Sequence, residues 1–140
     1  MEKALIDTNI LVYFADSTDV KKHEKARTLL EVAREDPSSF VITLQNLREF
    51  GNVMAHKTKM PVEEINEFLS LFEHAFVDIA VDTVEIMQKA VALTRESGID
   101  FYDANIFQTA AKKRIAAVYT ENTKDFEKIP GLKVINPLIE

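Results

Sequence analysis

The chain has 140 residues, 46% of them hydrophobic and 29% charged, which suits one domain over residues 1–140 with a real core and a solvated surface. It has no cysteine, which excludes disulfides, thiolate zinc sites and a cysteine nucleophile. The formal net charge of -6 argues against an affinity for phosphate backbones through charge alone, although cations bound among acids reverse the local potential.

From the N-terminus, Ala4-Leu5-Ile6 is a short apolar run that stops at Asp7, and Glu2 stands where a signal peptide needs a basic start. No apolar run approaches the ~18–20 residues of a membrane span, so a cytoplasmic protein without membrane contact is expected. Ala26, Leu29, Leu30 and Ala33 recur at helical spacing and predict a helix over residues 22–34. Pro37-Ser38-Ser39 breaks the chain, and the aromatic and β-branched Phe40-Val41-Ile42-Thr43 reads as a second strand. A helix over residues 46–56 follows, with Leu47, Phe50, Val53 and Met54 inward. Pro61 suits the first turn of the next helix, whose stripe is Ile65, Phe68, Leu69, Phe72 and Phe76.

Residues 76–79 read as a brief strand or a connector. Asp82 with Glu85 resembles a capping box, opening a helix that carries Val84, Met87, Ala90, Val91 and Thr94 and ends near Gly98. Ile106, Phe107, Ala110 and Ala111 mark a further helix after Tyr102. Residues 116–120 and 132–135 read as the last strands. Short apolar strands alternating with amphipathic helices predict an α/β fold with a parallel sheet covered on both faces. Ligand sites in such sheets gather beyond the carboxyl ends of the strands.

The placement of four acids is the informative feature. Asp7 follows the first strand, Glu49 lies early in the helix after the second, Asp103 begins a helix, and Asp125 lies in the loop after Thr120. In a parallel sheet those junctions share one edge, so the acids converge. Clustered carboxylates raise one another's pKa unless a cation neutralises them. Mg²⁺ or Mn²⁺ takes oxygen ligands and supports phosphodiester hydrolysis. Each acid also has a plainer use. Asp7 can cap a short helix over residues 9–15, Asp103 can cap its own helix, Glu49 can be solvated, and Asp125 can form a turn.

Leu5-Ile6-Asp7-Thr8-Asn9-Ile10-Leu11, Leu47-Arg48-Glu49-Phe50, Tyr102-Asp103-Ala104 and Tyr119-Thr120-Glu121-Asn122-Thr123-Lys124-Asp125-Phe126 together resemble a PIN-domain nuclease, with the VapC-type toxins of prokaryotic toxin–antitoxin pairs as the nearest subtype. The resemblance implies a three-layer α/β/α fold with a mainly parallel central sheet. It also implies Mg²⁺- or Mn²⁺-dependent endoribonuclease activity on RNA, homodimerisation, and inhibition by a small antitoxin. By that likeness Asp7 and Asp103 are the principal metal ligands, Glu49 and Asp125 complete the acidic set, and Thr8, Asn9, Thr120 and Asn122 are its polar neighbours. Many members carry an acid where this chain has Asn122, and Asp125 matches another variant of that motif.

His23, His56 and His74 show no metal-ligand spacing and read as surface residues. Lys57 and Lys59 beside His56, and Lys112, Lys113 and Arg114 at a helix end, read as solvated or dipole-paired cations within possible reach of phosphate. Two other functions fit the residues. One is a PIN-like nuclease of RNA processing or decay, or one acting on DNA. The other is a binding module that keeps the fold and uses the acidic cleft for protein contacts.

Overall fold

A computed structural model describes residues 2–139, so residues 1 and 140 of the expected domain lie outside it. Strands β1 (Lys3–Ile6), β2 (Phe40–Thr43), β3 (Ile79–Ala80), β4 (Ile115–Tyr119) and β5 (Lys133–Ile135) form one sheet in the order β3-β2-β1-β4-β5. Every pairing is parallel, with Leu5 opposite both Val41 and Val118. Of the brief strand expected at residues 76–79 only Ile79 is in a strand, β3, which continues to Ala80 and pairs with Ile42 and Thr43.

Alternation along each strand sends neighbouring side chains to opposite faces. Leu5, Val41 and Val118 therefore join the core on one face and Ile6 and Ile42 the core on the other. Helices α1 (Thr8–Ala15), α2 (Val20–Glu35), α3 (Leu44–Lys57) and α4 (Val62–Ala75) cover the Ile6 face with Ile10, Leu11, Leu30, Phe50, Met54 and Phe72. Helices α5 (Val84–Ser97), α6 (Phe101–Ala111) and α7 (Thr123–Phe126) cover the Leu5 face with Ala90, Ala104, Ile106 and Phe126. This is the expected three-layer α/β/α arrangement. Each fully buried Leu, Ile or Phe contributes roughly 1.5–3 kcal/mol, so the two cores hold the sheet from both sides.

Several local expectations are corrected. Asp82 does not cap α5; Thr83 does, accepting from the Ile86 amide. Asp103 does not cap α6 either, because Asp100 accepts from the Tyr102 amide and leaves Asp103 in the first turn. Asp125 lies within α7 rather than in a loop. Gly98 does end α5, at φ 80°, a left-handed conformation that glycine adopts without strain. The α4 stripe enters the core: Phe68 and Phe72 meet Phe14 and Phe50 with ring centroids 5.0–6.4 Å apart. On α5 the inward residues are Ile86 and Ala90, while Val84, Met87 and Val91 are 69%, 39% and 54% exposed.

Candidate active site

The chain runs from β1 outward to β2 and β3 on one side, then crosses to β4 and β5 on the other. Connections that depart in opposite directions leave a crevice at the carboxyl end of the central strand. Asp7 is the first residue after β1 and sits in that crevice. Its backbone N–H still reaches across to the Tyr119 carbonyl at 3.0 Å. Asp7 is also the N-cap of α1, its Oδ1 accepting from the Thr8 amide at 2.9 Å. Capping and site membership are thus compatible uses of one carboxylate.

Thr120, buried just after β4, donates to Asp7 Oδ2 at 2.7 Å, and Asn9 Nδ2 approaches the same oxygen at 3.3 Å. Burial pushes the Asp7 carboxyl up to about 6, against the lowering effect of these donors; Glu49 adds repulsion. Desolvation outweighs hydrogen bonding here because Asp7, at the base of the cleft, is only 5% exposed.

Glu49 is aimed by the start of α3. Thr43 and Asn46 form a reciprocal cap, and Asn46 Nδ2 donates to Thr8 Oγ1 at 2.9 Å, tying the first turns of α1 and α3 together. Thr8 Oγ1 then donates to Glu49 Oε1 at 2.8 Å, and Gln45 Nε2 donates to Glu49 Oε2 at 3.0 Å. Asp103 is half-buried. Desolvation first, then repulsion from Asp7, Asp100, Asp125 and Glu49, pushes its carboxyl up to about 7.

Asp7, Thr8, Asn9, Glu49, Asp103 and Asn122 all line one cleft of about 910 Å³. Thr120 lies beneath it. Asp125 is not on the cleft wall. The Asn122 amide links it to the site, donating to Asp125 Oδ2 at 2.6 Å and reaching Asp103 Oδ2 at 3.5 Å. That bond, with the nearby Lys128 ammonium, holds the Asp125 carboxyl below its ordinary range despite some desolvation. Among the described residues, no three acidic or histidine side chains stand near enough to share one ion as they lie.

The sequence reading missed Gln45, Asp82 and Asn105, which also line the cleft. It also missed a clasp at its rim, where Glu121 takes a hydrogen bond from Tyr13 and an ion pair from Lys22. Arg48 and Lys57 of α3 line the wall, whereas His56 and Lys59 do not. Lys113 is engaged elsewhere, paired with Asp78. His56 and His74 are exposed as expected, each against a carbonyl of its own helix, while His23 is half-buried against the Tyr13 carbonyl.

The chain matches the PIN domain over residues 4–132 and belongs to that family. Its fold is similar to that of a toxin–antitoxin complex component from Klebsiella pneumoniae, at 29% identity and TM-score 0.71, covering 96% of this chain and 98% of that one. Mycobacterium tuberculosis VapC20, described as a sarcin–ricin-loop-cleaving toxin, aligns at 18% identity and TM-score 0.73, over 94% and 98% of the two chains. A chain of VapBC2 from Rickettsia felis, solved with promoter DNA, aligns at 22% identity and TM-score 0.70, over 95% and 97%. No curated protein matches the sequence. The chain therefore carries the PIN fold in the form found in VapC-type toxins, as the four motifs implied. Among the described residues, no helix is long and apolar enough to cross a membrane.

Proposed function

We propose that this chain is a divalent-metal-dependent endoribonuclease, the toxin of a toxin–antitoxin pair, with Asp7, Glu49, Asp103 and Asp125 as its acidic set. The observation that carries the reading is the meeting of Asp7, Glu49 and Asp103 in one cleft at the carboxyl end of the sheet. Among the described residues, none of the three has a lysine or arginine partner. Burial first, and then repulsion from neighbouring acids, drives two of these carboxyls up to about 6 and 7.

The donor set fits Mg²⁺ or Mn²⁺, since it consists of carboxylate oxygens without nitrogen or sulfur ligands. Asp7, Glu49 and Asp103 would hold the ion by drawing closer together than they stand here, with Asp125 acting through Asn122. A dication bound there supplies Lewis acidity toward a phosphoryl oxygen and a more acidic water. The chain's own residues do the rest. Thr120, Asn9 and the Thr8 amide fix Asp7, Thr8 and Gln45 fix both oxygens of Glu49, and Arg48 and Lys57 attract the phosphate backbone along the wall.

The similar structure from Klebsiella pneumoniae is described as a toxin–antitoxin complex, which supports an antitoxin partner for this chain. An arginine or lysine entering the cleft would supply the missing positive charge and exclude metal. The exposed Val84, Met87 and Val91 on α5 support a homodimer. A cytoplasmic setting goes with an RNA substrate and with the antitoxin.

The test is purified protein incubated with labelled RNA and DNA, with Mg²⁺, with Mn²⁺ and with EDTA, alone and after co-expression with the product of a neighbouring small gene. Metal-dependent RNA cleavage suppressed by that product is expected. Cleavage of DNA alone, or full activity in EDTA, would overturn the assignment. RNA cleavage without any inhibiting neighbour would move the protein to RNA processing.

A further inference from the structure

Behind Glu49 runs a chain of side-chain hydrogen bonds that the acidic motifs do not include. Asn105, on α6, is 4% exposed. Its Nδ2 donates to Asp82 Oδ2 at 3.0 Å and to Gln45 Oε1 at 2.9 Å. Gln45 in turn donates through Nε2 to Glu49 Oε2 at 3.0 Å and to the Tyr102 carbonyl at 3.2 Å. Asp82, Asn105, Gln45 and Glu49 thus connect the segment before α5, helix α6 and helix α3.

The direction of this chain is set by its ends. An ionised carboxylate only accepts hydrogen bonds, as does a backbone carbonyl. Asp82 therefore requires the NH₂ of Asn105 to face it, while Glu49 and the Tyr102 carbonyl require the NH₂ of Gln45. With both amides so oriented, the middle link closes, since Asn105 Nδ2 meets Gln45 Oε1. Each amide can satisfy its neighbours in one orientation only. Asn105 Oδ1, buried without a partner, is left over by this arrangement. An unmade bond there costs stability, and it persists where the two formed links fix the amide.

We propose that Gln45 and Asn105 are positioning residues for Glu49, locking the carboxylate that faces Asp7 and Asp103 through a one-way amide relay anchored on Asp82. The proposal rests on the nuclease reading for its consequence in catalysis and stands on the hydrogen bonds alone for its structure. Asn105→Asp is the discriminating variant. It keeps the side-chain shape and replaces the NH₂ with an acceptor, so both neighbouring acceptors face it and Gln45 loses its brace. Gln45→Met removes the donor to Glu49 and leaves a chain of similar length.

The experiment is carried out on the full chain with two readouts besides activity: the side-chain NH₂ resonances of Gln45 and Asn105 by NMR, and Mn²⁺ affinity by relaxation of bulk water. In the wild-type protein both NH₂ groups should exchange slowly with solvent. In Asn105→Asp the Gln45 resonances should shift and exchange faster, with Mn²⁺ affinity and kcat each falling about tenfold or more, the size usual for partners that orient metal ligands. Gln45→Met should reproduce the losses in affinity and kcat. Circular dichroism and the melting midpoint identify any variant that has lost its fold. Unchanged Gln45 resonances and wild-type Mn²⁺ affinity in folded Asn105→Asp would overturn the relay. Absence of RNA cleavage by the wild-type protein, with the Gln45 response intact, would overturn the nuclease reading and leave the relay standing.

Discussion

Thr120 Oγ1 donates a 2.7 Å hydrogen bond to Asp7 Oδ2 across 113 residues of sequence, joining the ends of the two central strands. The bond works against burial, which pushes the Asp7 carboxyl up to about 6. Thr120→Val keeps the shape and removes the donor, so the Asp7 pKa should rise further. Protons then compete with metal at higher pH. Mn²⁺ affinity at pH 7 should fall about tenfold, as for other residues that orient ligands. Titrating affinity against pH should show its midpoint moved upward. An unmoved midpoint would show that Thr120 does not govern Asp7.

Asp103 should trade stability for its place in the cleft. Its carboxyl lies at about 7 in the folded chain against an ordinary 3.8, so the folded state holds this proton more tightly than the unfolded state does. The resulting stabilisation is complete below about 4 and lost as pH rises through about 7. Asp103→Asn removes the titration. Its melting midpoint, measured without metal, should exceed that of the wild type at pH 8 and lose the advantage near pH 4. Cleavage should be abolished in the same variant. A wild-type rate would move the active site elsewhere.

The meeting of Asp7, Glu49 and Asp103 in one cleft was legible in the sequence because each stands at or near the start of a helix, whereas Asp125 lies off the cleft wall. Asp7 interrupts a run from Ala4 to Phe14, and a parallel sheet brings such junctions to one edge. The relay behind Glu49 was not legible. Gln45 and Asn105 are 60 residues apart, and a single sequence carries no sign that they touch. Asp82 was misread because Asp82 and Thr83 are both good caps, and only the folded chain gives one to the helix and the other to Asn105. The α5 stripe failed for another reason: this helix carries apolar residues on two faces, and periodicity cannot say which is turned inward. Ile86 and Ala90 are; Val84 and Val91 are not.

Asp125 should matter less than Asp103. It lies off the cleft wall, and Asn122 and Lys128 already satisfy its carboxylate. Asp125→Asn keeps the shape and leaves Asp103 with less repulsion nearby. Cleavage should fall by less than about tenfold, the lower end for such partners, against complete loss in Asp103→Asn. Equal losses in single-turnover assays would place Asp125 among the direct ligands.

Arg48 and Lys57 sit on the wall of an otherwise acidic cleft. Phosphate contacts release counterions and give binding a steep salt dependence. Arg48→Ala and Lys57→Ala should each weaken RNA binding about equally across sequences. Each should also lower the slope of log affinity against log salt by about 0.7 for a single-stranded RNA. Fluorescence anisotropy on the Asp103→Asn background measures binding without cleavage. Slopes equal to that of the parent would exclude these side chains from the RNA path.

A second copy of the chain should cover α5 rather than α4. On α4, Ile65 and Phe72 are buried and Phe68 and Leu69 pack against the core, leaving Val62 at the helix start and Leu71 at 67% and 38% exposure. On α5, Val84, Met87 and Val91 lie at i, i+3 and i+7, hence on one side of the helix, and all three face solvent. Three apolar residues so aligned form a continuous stripe, and a two-fold axis through it would bury the same residues on both copies. Met87→Glu places a charge at the centre of that stripe, where an uncompensated carboxylate disfavours association. Sedimentation should show the wild type as a dimer and Met87→Glu as a folded monomer, with Leu71→Glu remaining dimeric. A dimer lost in Leu71→Glu and kept in Met87→Glu would assign the interface to α4 instead.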